Sequence, residues 1–370
     1  MMKLPEKTRD VLGRIIEDLK SRESVSGIAL FGSRSRGDAD TSSDVDLLVV
    51  DSKDFDYQYV ERAEIDSCLV DFDYVPEKWL LKSIPPEIDQ KLFEAEVLYD
   101  RKGALTNAKI SMSKNYWEPE RVDIRAEAYL MDADTYFTRA KAAYNKDDFQ
   151  SAKVNASLAT EALMRILIEL GKMPISNSRY IVAFEDSAKR LGMHKLYEDY
   201  LEIAGFSGLD RAKTVNTWDS FSALWRKSVN FVESNPSTLK TLHVKVRNNL
   251  SYYGKESFLK GMLVRTKTLI ENGLFTEAAH YMTRTSADML ENYAWLVSVM
   301  EGTRFDYSSL FQRLKGSKTS PKEIYDHAVE TFGVKSVTSK EAEETLNRVK
   351  EILLNIRQKR RELIASHFQP

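Results

Sequence analysis

Ten residues separate a Gly-Ser pair, Gly32-Ser33, from an Asp-x-Asp pair, Asp44 and Asp46. In an extended chain alternate side chains share a face, so Asp44 and Asp46 present two carboxylates to one side. Hard oxygen ligands so placed suit Mg²⁺ or Mn²⁺. Gly32 lets the backbone approach a bound anion. The Ser33 hydroxyl and the N–H groups of the turn after it can bind phosphate oxygens. Arg34 and Arg36 add positive charge beside that cradle. A third carboxylate comes from Leu69-Val70-Asp71-Phe72-Asp73-Tyr74-Val75, where Asp71 and Asp73 share a strand face. Three acids allow two metals roughly 3.5–4 Å apart, clamping the attacking and leaving oxygens of an in-line phosphoryl displacement. The plainer reading is that these acids only solvate turns and strand ends.

The elements that must hold these residues follow from periodicity. Val11, Leu12, Ile15, Ile16 and Leu19 recur at helical spacing, so 5–22 reads as an amphipathic helix with Pro5 in its first turn. A buried strand over 26–31 runs into the turn 32–37, and a second strand covers 45–50. Residues 54–65 look helical. A third strand covers 68–75, a helix runs from Pro85-Pro86 to Phe93, and a short strand covers 96–99 before the turn Asp100-Arg101-Lys102-Gly103. From 121 to 365 the pattern is helical throughout. One stripe is Tyr129, Ala133, Tyr136, Phe137, Ala140 and Tyr144. Another is Ala152, Ala156, Ala159, Leu163, Ile166, Leu167 and Leu170, stopped by Gly171 and Pro174. Phe137–Ala152 aligns with Leu263–Ala278 at an offset of 126, and Leu196 to Gly205 aligns with Ile324 to Gly333 at 128. Two similar helical bundles are the physical reading.

The Gly-Ser, Asp-x-Asp and single-acid pattern resembles the nucleotidyltransferase superfamily of DNA polymerase beta, above all its minimal and kanamycin nucleotidyltransferase-like branches. Gly32, Ser33, Asp44 and Asp46 match without gap. Asp71 matches the third acid best, with Asp73 the alternative. The resemblance covers about 110 residues. It implies an α+β chain: an α/β nucleotidyltransferase domain with a mixed sheet over 1–110, then helical bundles over 120–235 and 236–370. It also implies transfer of a nucleoside monophosphate from an NTP to a hydroxyl acceptor (small molecule, protein or RNA) with release of pyrophosphate. Catalysis and metal binding would fall to Asp44, Asp46 and Asp71, and phosphate binding to Gly32, Ser33, Arg34 and Arg36. The helical part would supply the acceptor pocket or a homodimer contact.

That part is also similar to the helical bundles named HEPN, some of which are ribonucleases with an Arg and a His four to six residues apart. Arg361 and His367 have that spacing, and Arg247-Asn248-Asn249-Leu250-Ser251-Tyr252 looks like a degraded version. Hence the alternative of a regulatory or binding protein of the antitoxin type, taking nucleotide or RNA. A solvated basic helix end accounts for Arg361 and His367 as well, since Lys359 and Arg360 adjoin.

Composition sets bounds. The 370 residues, 42% hydrophobic and 10% aromatic, suffice for two or three cores. A net charge of -2 excludes a strongly basic nucleic-acid binder. Residues 1–110 carry 23 acids and 16 bases, a net of -7, which suits a cation site. One cysteine, Cys68, excludes an intrachain disulfide framework and falls on an apolar strand face. His194, His243, His280 and His327 lack metal spacing. Trp218 and Trp225, two helical turns apart, read as core. No apolar run suits a membrane span or a signal core, so a cytoplasmic location is expected.

Overall fold

The computed structural model describes residues 6–39 and 43–368. Pro5 and the spacer residues Asp40, Thr41 and Ser42 lie outside the described residues. In chain order the first elements are α1 (Glu6–Ser21), β1 (Val25–Phe31), α2 (Gly32–Arg36), β2 (Val45–Asp51), β3 (Tyr59–Ile65), β4 (Cys68–Pro76), α3 (Glu77–Leu81), α4 (Asp89–Glu94), β5 (Glu96–Asp100) and α5 (Ala104–Asn115). Helices follow: α6 (Pro119–Tyr144), α7 (Phe149–Leu170), α8 (Tyr180–Arg190), α9 (His194–Ala204), α10 (Arg211–Glu233), α11 (Pro236–Thr241), α12 (Val244–Tyr253) and α13 (Glu256–Glu271). The last are α14 (Phe275–Met300), α15 (Leu310–Gly316), α16 (Lys322–Thr331) and α17 (Ser339–His367). The chain is α+β, a mixed sheet followed by an all-helical region.

Two compact units emerge. The first is residues 1–121 with 251–265, and the second is 122–250 with 266–370. Residues 251–265, from α12 and α13, are grouped with the sheet.

The sheet of the first unit has the order β3-β4-β2-β1-β5. β2 and β4 are parallel, and the other neighbours are antiparallel. Alternation gives the central strands β1, β2 and β4 two buried faces. On one, Val11, Leu12, Ile15, Ile16 and Leu19 of α1 cover Ile28, Leu30, Val45, Leu47, Val49 and Val70. On the other, Leu92, Leu105, Ala108 and Met112 from α4 and α5 cover Ala29, Leu48, Val50 and Val75. Each large side chain buried this way stabilises by roughly 1.5–3 kcal/mol.

One expectation fails here. Residues 54–65, expected as a helix, contain strand β3, which forms a hairpin with β4 through the two-residue turn Asp66-Ser67. Both turn residues have positive φ, 51° and 65°. That is the backbone of a primed hairpin turn, whose twist matches the strands it joins. Tyr59, stacked on Tyr74 at 4.8 Å, adds a cross-strand pair. The helix expected over 85–93 is present, opening as a 3₁₀ turn at Pro86–Ile88 and continuing as α4.

In the second unit, helix starts repeat. α7 and α14 begin at Phe149 and Phe275, 126 apart; α9 and α16 at His194 and Lys322, and α10 and α17 at Arg211 and Ser339, each 128 apart. The two halves interlock. α17 packs on α7, and α10 packs on α14 and α16, so the last helix of each half lies against the other half. Cross-capping is reciprocal as well. Glu277 of α14 accepts from the N–H groups of Ile181 and Val182 at the start of α8. Ser151 of α7 accepts from Phe311 N–H, and Asp148 accepts from Gln312 N–H, at the start of α15. Each satisfies donors that a helix N-terminus leaves open.

Candidate active site

The ladder builds the site. Asp46 of β2 is in register with Phe31 on one side and Asp71 of β4 on the other, and Asp71 is in register with Arg62 of β3. Register partners share a face, so Arg62, Asp71, Asp46 and Phe31 form one row across four strands. Asp44, two residues before Asp46, lies just ahead of β2 on the same side, and is buried. The structure thus brings together Asp44, Asp46 and Asp71.

Gly32 follows directly from the end of β1. Its φ is +73°, and a Cβ there would stand 2.4 Å from Asp46 Oδ2. Only glycine fits, both for the left-handed backbone and for the close approach of a carboxylate. Ser33 is half-buried in the five-residue helix α2. Arg34 bonds backbone rather than facing outward: Nε donates to the Asp44 carbonyl at 2.9 Å, and Nη2 to the Ser43 carbonyl at 2.5 Å. It fixes the segment that carries Asp44. Arg36 pairs with the buried Glu94 at 2.7 Å. Ser35 Oγ donates to the Glu94 carbonyl at 2.5 Å. Asp73 is also buried, but it is tied to Lys91 and to Gln58 Nε2, the latter at 2.6 Å.

Sequence reasoning missed the cations on the carboxylates. Arg62 forks onto Asp71: Nε donates to Oδ1 at 2.6 Å, and Nη2 donates to Oδ2. The same Nη2 reaches Asp44 Oδ2 at 2.5 Å. Arg265, from the second half of α13, donates to Asp44 Oδ1 at 2.8 Å. The Arg62 guanidinium lies 5.1 Å from the Phe258 ring centroid and 5.8 Å from that of Tyr252, whose hydroxyl donates to Asp71 Oδ2 at 3.3 Å. Lys255 Nζ holds the Arg62 carbonyl at 2.6 Å. A signal for Arg62 existed, the run Tyr59–Ile65 followed by a two-residue polar turn. None existed for Arg265, which is 221 residues from its partner.

Electrostatics follow from this arrangement. Burial pushes the Asp44 carboxyl up, but Arg265 and Arg62 together hold it below the usual range. Asp46 is pushed well up, by burial first and then by the charges of Asp44 and Asp71. Asp71 is raised because burial outweighs its bond to Arg62.

Among the described residues, no group of three or more His, Cys, Asp or Glu side chains stands arranged around one point as metal ligands. The donor set still has the chemistry of a divalent-cation site: three carboxylates on one face, with Gly32 leaving room beside Asp46. The guanidinium groups of Arg62 and Arg265 supply positive charge there.

The remaining candidates sit elsewhere. Arg361 and His367 are exposed near the end of α17. His280 is buried and stacked on Tyr180 at 4.3 Å. Trp225 is fully buried, and Cys68 packs at the margin of the α1-side core. No helix among the described residues is long and apolar enough to cross a membrane.

No curated protein matches the chain. A solved structure of a nucleotidyltransferase-like protein from Exiguobacterium sibiricum aligns with 88% of this chain and 89% of its own, at 16% identity and a TM-score of 0.33. The family model for the nucleotidyltransferase domain matches residues 12–108, a span that holds the whole row from Phe31 to Arg62 and Asp71.

Proposed function

We propose that this chain is a nucleotidyltransferase that moves a nucleoside monophosphate from an NTP to a hydroxyl acceptor. The observation that carries the reading is the convergence of Asp44, Asp46 and Asp71 beside Gly32. The acceptor oxygen forms a bond to the α-phosphorus, the bond to pyrophosphate breaks, and the acceptor proton passes to Asp71. A carboxyl raised by burial is a better base than an ordinary one, which suits Asp71 to that step. Asp44 and Asp46, with Asp71 shared, would hold a divalent ion, which when bound would neutralise charge on the phosphates. The backbone at Gly32 and the Ser33 hydroxyl would meet phosphate oxygens. Arg34 serves as a positioning residue through the carbonyls of Ser43 and Asp44. Arg36 can steady the leaving pyrophosphate by exchanging Glu94 for phosphate oxygens.

The test is incubation of the full chain with Mg²⁺ and each NTP in turn, followed by mass spectrometry of protein and small molecules. A mass gain of one nucleoside monophosphate with release of pyrophosphate is expected. Calorimetry with ATP and Mg²⁺ should show binding that chelator abolishes and that Asp44→Ala with Asp46→Ala removes. Unchanged affinity in that folded double variant overturns the site.

A further inference from the structure

We infer that Arg62 and Arg265 are resident counter-cations of the carboxylate cluster, which a divalent ion must displace before it can bind. The inference rests on reading Asp44, Asp46 and Asp71 as a cation site.

Every carboxylate oxygen of Asp44 and Asp71 already meets a guanidinium. Arg62 takes both oxygens of Asp71 and one of Asp44, and Arg265 takes the other oxygen of Asp44. With all three carboxylates ionised, the two guanidinium groups leave a net charge of about -1, a weak attractor for a divalent ion. Without the arginines the same oxygens would face inward with about -3, an arrangement that cannot stay buried unless cations join it.

The two arginines are held differently. Arg62 is built into the sheet: it is in register with Asp71, its side chain is 6% exposed, and the rings of Tyr252 and Phe258 flank it. Its planar fork matches the carboxylate of Asp71 bidentately, which an ammonium cannot do. Arg265 comes from a helix, pairs with Asp44 and is 17% exposed. Arg265, the more exposed of the two, is the group that leaves first, opening Asp44 Oδ1. Arg62 sets how much of Asp71 an ion can share. Affinity for the bare ion is kept low, and a nucleotide that arrives with its own ion supplies the further contacts needed to move Arg265 aside.

The measurement is Mn²⁺ binding to the full chain without nucleotide, followed by the electron paramagnetic resonance signal of the free ion. Arg265→Gln should tighten binding about tenfold or more over the parent chain, and Arg62→Gln further. Arg62→Lys keeps the charge but loses the fork, and should fall between Arg62→Gln and the parent. Removing Arg62 leaves buried acids unpaired, so if Arg62→Gln does not fold, the more exposed Arg265→Gln decides alone. Adding Asp46→Asn to Arg265→Gln should abolish the gain. Equal affinity in the parent and Arg265→Gln, lost with Asp46→Asn, overturns the counter-cation role while leaving the cation site standing. An absence of Asp46-dependent Mn²⁺ binding in every form overturns both.

Discussion

Asp71 and Asp73 share a strand face and are both buried, yet their partners set them apart. Asp71 joins the row with Asp46, whereas Asp73 is in register with Leu48 and is tied down by Lys91 and Gln58. If Asp71 is both ligand and base, Asp71→Asn should cost roughly a hundredfold or more in turnover. Asp73→Asn should cost less in rate but should lower stability, since it leaves Lys91 facing a neutral amide. Steady-state kinetics alongside denaturant melts separate the two, and a larger rate loss in a folded Asp73→Asn would move the third acid there. The acids were legible in the sequence because a period of two and a short spacer fix them locally. Their countercharges were not. Arg34 and Arg36 read as phosphate ligands, but the backbone carbonyls that Arg34 holds and the Glu94 that Arg36 pairs with were not legible. Which anion an arginine meets is decided by tertiary distance, and spacing along the chain does not encode it.

Element assignments failed where polar residues masked a strand. Within 54–65, Glu61, Arg62 and Glu64 interrupt the strand formers Tyr59, Val60 and Ile65, so the period of two is weak there. The strand exists because β4 offers a free edge and the Asp66-Ser67 turn closes the hairpin. Arg62 then points into the site because its register partner is Asp71. The assignment of β3 and the identity of Arg62 are thus one problem, and missing the first hid the second. A turn with positive φ at both centres favours Asn-Gly over Asp-Ser. Replacing Asp66-Ser67 with Asn-Gly should therefore raise the urea midpoint, by roughly 0.5–1 kcal/mol in stability, without shifting ion or nucleotide affinity. Loss of stability in that variant would mean that Asp66 does more through its pair with Arg14 than its backbone costs.

At the scale of the whole chain, the spacing of a repeat is legible in the sequence, but how its two halves meet is not. Matching residues at offsets of 126 and 128 locate corresponding helix starts. They do not say that α10 and α17 trade places, each packed against the opposite half. The copies have also diverged in use. Arg139 pairs with Glu291 within the helical unit, whereas Arg265, its counterpart 126 residues on, pairs with Asp44 beside the sheet. Exchange of the last helices makes each half incomplete alone. Residues 122–235 would expose the face of α7 that α17 covers, together with the α8 N-terminus that Glu277 caps. A segment of that size has enough chain for a core but lacks the helix that closes it. Expressed alone, 122–235 should give partial helical circular dichroism and no cooperative thermal transition. Within the full chain the helices of both halves should melt together. Glu277→Ala and Ser151→Ala, which break caps in opposite directions, should each lower that shared transition, by about 1 kcal/mol apiece. A sharp, reversible transition in the isolated half would show that its core closes without the exchanged helix, and the two copies would then be neighbours rather than parts of one body.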